Sequence, residues 1–76
     1  TLKMKNSIRV ERAKIRISQE ELAEAVQATR QSIHLIENGK TEPKLSLAFK
    51  ISQYFGLKIE DVFESESHEY IKDSMN

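Results

Sequence analysis

Cysteine and tryptophan are absent from this 76-residue chain, glycine occurs twice and proline once. Without cysteine there is no disulfide framework, no thiolate zinc site and no thiol nucleophile. Gly39, Pro43 and Gly56 are the only strong breakers, so an all-α chain with short connections is expected. No apolar run approaches the roughly 20 residues that span a bilayer, and no signal-peptide core is present. A cytoplasmic location and no membrane partner are therefore expected. There is no glycine-rich phosphate loop and no nucleophile elbow, so the chain is read as a non-enzyme. His34 and His68 have no cysteine to join them. No metal, no cofactor and no small-molecule ligand are expected.

What is present is unevenly placed. Net charge is zero, yet residues 1–50 hold ten Lys/Arg against six Asp/Glu, and residues 51–76 hold two against six. A split of this kind suits a polyanion-binding face followed by an acidic tail. The length allows one domain with a small core, for which dimerisation would be stabilising.

The apolar spacing predicts five helices. Ile8, Ala13 and Ile15 supply the buried stripe of a first helix over Asn6–Ile15. Ser18 with Glu21 three residues on makes a capping box for a second, whose inner face is Leu22, Ala23 and Val26. Gln27 and Ala28 turn the chain. Thr29 caps a third helix with Ile33 and Ile36 inward, and Gly39 ends it in the left-handed region. Leu45, Leu47, Ala48, Ile51 and Phe55 mark a fourth helix, with Lys44 a poor cap and Gly56 its stop. Ile59, Val62 and Phe63 suggest a short fifth helix or a turn. Phe49, Tyr54, Phe55 and Phe63 are expected in the core or at an interface. The polar stretch SESHEYIKDSMN is expected to fray.

Two short helices joined by a three-to-four-residue turn constitute a helix-turn-helix, whose second helix enters the DNA major groove. With Ile33 and Ile36 inward, the 100° step places Gln31, His34, Leu35 and Asn38 outward, flanked by Arg30 and Ser32. Arg can address guanine O6 and N7, Gln adenine N6 and N7, and an apolar side chain the thymine methyl. Free amides at the starts of the second and third helices, beside Ser18 and Thr29, suit phosphate.

The pattern SQEELAEAV…TRQSIHLIENGK…P…L…A.KI resembles the phage-repressor, or Xre-type, helix-turn-helix family from about Asn6 to Phe63. The resemblance implies a five-helix, lambda-repressor-like DNA-binding domain with the recognition helix at about 29–37. It implies that Gln19 binds phosphate and braces that helix. Thr29, Arg30, Gln31 and Ser32 would contact bases and phosphates, Leu35 would meet a base one turn later, and Asn38, Lys40 and Lys44 would contact the backbone. Arg12 and Glu37 match a structural ion pair of the family. Arg16 and Gln27 stand where the family often has Gly, so a left-handed backbone is expected at both.

The resulting division is an arm or strand at 1–5, the DNA-binding domain at 6–64 and an acidic tail at 65–76. The segment LKMKN is expected to pair with VFESE as a short β-ribbon, with Val62 and Phe63 in a homodimer interface. The function implied is a sequence-specific regulator, read as a repressor, that binds double-stranded palindromic DNA as a homodimer. The alternative is an antitoxin-like protein-interaction module that holds a partner through its acidic C-terminal segment.

Overall fold

Local signals set most of the boundaries. In a computed structural model describing residues 4–65, the chain runs β1 (Met4–Asn6), α1 (Ile8–Ile15), α2 (Gln19–Ala25), α3 (Arg30–Glu37), α4 (Leu45–Tyr54), α5 (Ile59–Val62) and β2 (Phe63–Ser65). The expected tail lies outside the described residues beyond Ser65.

Ser18 caps α2 reciprocally. Its Oγ accepts from the Glu21 amide at 3.0 Å, and Glu21 Oε1 accepts from the Ser18 amide at 2.9 Å. These bonds satisfy two donors that the helix start would otherwise leave open. Thr29 Oγ1 accepts from the Ser32 amide at 3.0 Å and starts α3. Lys44 offers α4 no side-chain cap. Arg16 and Gln27 are left-handed, at φ 56° and 61°. Gly39, at φ 70°, meets no atom on the side a Cβ would occupy, so its constraint is the backbone angle and not space.

The first helix begins at Ile8, two residues later than its apolar spacing suggests. Asn6 belongs to β1 and does the capping from there: its Oδ1 accepts from the Ile8 amide at 3.1 Å. Its Nδ2 also donates to the Ile36 carbonyl at 2.8 Å, tying the ribbon to the end of α3. The ribbon is antiparallel, with Met4 opposite Ser65, Lys5 opposite Glu64 and Asn6 opposite Phe63.

The core comprises Ile8, Leu22, Ala23, Val26, Ile33, Ile36, Ala48, Ile51, Val62 and Phe63. Each fully buried Ile or Leu stabilises the fold by about 1.5–3 kcal/mol. Several expectations are corrected here. Ala13 and Ile15 face outward, because α1 turns the row of Ile8, Glu11 and Arg12 toward the rest of the chain. Leu45, part of the apolar pattern of the fourth helix, is exposed on α4, which seats Ala48, Ile51 and Ser52 instead; of the two alternatives for Phe49 and Tyr54, their exposure removes only the core. Val62 and Phe63 are 2% and 6% exposed. They close the protomer's own core between α5 and β2, so they offer a second chain very little surface.

Candidate nucleic-acid interface

Helix α3 has two faces. Ile33 and Ile36 are sunk in the core, and this forces Arg30, Gln31 and His34 into solvent. Those three side chains line one shallow surface hollow. Leu35, expected outward, is half-buried: it sits at the border of the two faces, and its carbonyl accepts from the Lys40 amide at 2.9 Å as the chain leaves the helix. Ser32 is also half-buried, and the Thr29 hydroxyl donates to its Oγ at 2.8 Å. Ser18, Asn38, Lys40 and Lys44 are exposed around the same helix pair.

The orientation of α3 is fixed from its last turn. Glu37 has no exposed side-chain surface. Arg12 donates to it twice, from Nε to Oε2 at 2.6 Å and from Nη2 to Oε1 at 3.1 Å. The same guanidinium donates through Nη1 to the Ile17 carbonyl at 2.9 Å. Gln19 Nε2 donates to Glu37 Oε1 at 3.2 Å. Burial pushes the Glu37 carboxyl up. The hydrogen bonds from Arg12 and Gln19, with the charges of Arg12 and Arg9, outweigh it and hold the group below its ordinary value. The Glu37 hydrogen bond correspondingly raises Arg12 against its partial desolvation. A buried carboxylate is tolerated because its oxygens are satisfied by charged and amide donors.

Arg9 is the residue that sequence reasoning missed. Its Nη2 donates to Asn38 Oδ1 at 3.1 Å, and its Nε lies 3.6 Å from Glu37 Oε1. Arg9 and Arg12 stand three apart on α1, a spacing that puts both on one face, and that was the available signal. Lys50 donates to Gln27 Oε1 at 3.0 Å across the turn between α2 and α3. Asn38, taken as a backbone contact, also donates to the His34 carbonyl at 2.8 Å. Gln19 stands half-buried between α2 and α3, its amide nitrogen within reach of both Glu37 and His34.

The arrangement therefore presents a rigid helix with polar side chains that can donate to base edges, ringed by cations that suit phosphate. Among the described residues, no helix is long and apolar enough to cross a membrane.

A family described as Helix-turn-helix matches residues 8–62. An uncharacterised helix-turn-helix-type transcriptional regulator of Methanocaldococcus jannaschii is 48% identical over 66 residues, covering 87% of this chain and 100% of that protein. A regulator of the same description from Bacillus subtilis is 48% identical over 60 residues, covering 79% and 91%. The fold is shared with a solved Bacteroides fragilis protein described as a candidate DNA-binding protein. The TM-score is 0.71 at 21% identity, covering 80% of this chain and 98% of that one.

Proposed function

The chain belongs to the Xre-type helix-turn-helix family, and from that premise we propose that it represses transcription by binding a palindromic operator as a homodimer. The coarser part of this reading, a DNA-binding transcriptional regulator, stands with the family. The finer part is supported by one observation above the others. Arg30, Gln31 and His34 share an exposed face of a helix whose opposite side is locked into the core and whose last turn is held by Arg12.

Arg30 and Gln31 supply base or phosphate contacts at the start of the helix, Thr29 and Ser32 lie in its first turn, Lys40, Lys44 and Asn38 contact the backbone around it, and Gln19 braces it through Glu37. Ser18 presents the start of α2 to a phosphate, and Leu35 contributes its half-exposed edge. One such helix reads only a few base pairs, and a two-fold pair places two of them about 34 Å apart, one helical turn of DNA. For the second copy, α4 offers exposed Leu45 and Phe49. Leu45 lines a groove together with Pro43, Ala48, Ile59 and Phe63, to which Glu42 and Glu60 also contribute.

The test is selection from a random duplex library at near-physiological salt, with an Arg30→Ala/Gln31→Ala double variant run alongside. A recovered palindrome, lost in the variant, is the expected result. Weak, salt-sensitive binding that is equal in both proteins would reflect backbone contact without readout. It would turn attention to a protein partner for the acidic C-terminal segment.

A further inference from the structure

His34 is the exposed recognition-face residue whose ring is tied to the buried clamp. Gln19 Nε2 lies 3.2 Å from Glu37 Oε1 and 3.4 Å from His34 Nδ1. The first contact decides the second. An ionised carboxylate only accepts, so the Gln19 amide must turn its nitrogen, not its oxygen, toward Glu37. The same nitrogen carries a second hydrogen, and the ring nitrogen within its reach is Nδ1. A donor facing Nδ1 makes it the acceptor nitrogen and leaves the ring proton on Nε2. Asn38 Nδ2 stands 3.4 Å from both ring nitrogens while donating to the His34 carbonyl at 2.8 Å. An amide equidistant from both nitrogens packs against the ring rather than bonding to either, so it limits ring rotation without changing which nitrogen carries the proton.

We propose that His34 is a specificity-determining residue that reads guanine by donating from Nε2, with Gln19 as the positioning residue that holds this tautomer. The inference rests on the DNA-reading function proposed above. A lone donor with no acceptor suits guanine best, because guanine presents N7 and O6 side by side in the major groove. Adenine pairs its N7 with the N6 donor, thymine offers O4 beside a methyl, and cytosine offers only a donor. The buried charge of Glu37 thereby acts on base choice through one amide.

The experiment is titration of the selected operator and its single-base variants at fixed salt, using wild type, His34→Asn, His34→Ala and Gln19→Leu. Wild type should prefer guanine at one position of each half-site by about tenfold. His34→Asn, which can both donate and accept, should move that preference to adenine. His34→Ala should level that position and leave the others. Gln19→Leu should narrow the same preference in addition to any uniform loss of affinity, and ring ¹⁵N spectra should show the His34 proton on Nε2 in wild type and a mixture in this variant.

His34 is exposed, so its variants keep the fold and decide the matter even if Gln19→Leu does not fold. Preferences unchanged at every position in His34→Asn, or a wild-type ring protonated on Nδ1, would overturn the proposal while the DNA-reading function stands. Absence of any selected sequence would overturn both.

Discussion

Arg12 grips Glu37 through two N–H···O bonds, Nε to Oε2 at 2.6 Å and Nη2 to Oε1 at 3.1 Å, and so fastens α1 to the last turn of α3. The carboxylate is wholly buried and the guanidinium nearly so, with 16% of the Arg12 side chain exposed. Removing one partner strands a charge, whereas removing both does not. Arg12→Ala is therefore expected to cost about 3 kcal/mol, and the Arg12→Leu/Glu37→Leu double variant much less. Urea denaturation with an unchanged m-value measures both. A single variant as stable as wild type would mean that Glu37 is reached by water and that the clamp does not hold α3.

The same carboxylate sets an acid limit. Its folded value lies below the ordinary 4.5, so the unfolded chain takes up a proton first as pH falls. The stabilisation is fully present above about pH 5 and is lost as pH drops through the lowered folded value. Arg12 is raised from an already high value and adds no transition in this range. Denaturation midpoints measured between pH 7 and 3 should fall at the acid end in wild type, and fall less in the Arg12→Leu/Glu37→Leu background.

Arg16 and Gln27 carry the backbone strain. Both sit near φ 60°, a region that costs a side-chain-bearing residue about 1–2 kcal/mol, part of which glycine gives back as unfolded-state entropy. Arg16→Gly should therefore raise stability by about 0.5–1 kcal/mol, or about 2–8 °C in Tm for a domain of this size. Gln27→Gly should gain less, since it also forfeits the bond from Lys50. Calorimetry of the two variants side by side checks the order. A loss of stability in Arg16→Gly would mean that the side chain contributes more than the strain it imposes.

Helix ends show what the chain discloses locally. Caps are decided within a few residues, so Ser18, Thr29 and Gly39 could be read directly, whereas the left-handed Arg16 and Gln27 came from the family resemblance. The β-ribbon was legible from its two short apolar-flanked ends. Periodicity, however, reports that a face is apolar and not what covers it. Ile15 and Leu45 fit their helical patterns yet stay exposed, while Glu11 and Arg12 occupy the inward row of α1. Contacts across long stretches of chain leave no local trace. Asn6 bonds the Ile36 carbonyl 30 residues away, and Arg9 reaches Asn38 across 29. The Arg12–Glu37 pair spans 25 residues and came from the family resemblance, not from spacing.

The proposed homodimer gives the last prediction, and it separates surface from core. Leu45 and Phe49 are 67% and 47% exposed, four residues apart and so on one face of α4. Two large apolar side chains kept in water cost a monomer free energy that burial against a second copy would recover. Leu45→Glu/Phe49→Glu should leave the fold intact and weaken self-association by about tenfold or more, since 1.4 kcal/mol already suffices for that. Sedimentation equilibrium reads the association, and titration of half-site and full-palindrome DNA reads its consequence. Half-site affinity should persist while the gain from the second half-site disappears. Val62→Ala should do the reverse, costing about 2 kcal/mol of fold stability because it opens a cavity in a filled core. If the α4 variant associates as wild type does, the dimer is built on another face and α4 plays no part in operator spacing.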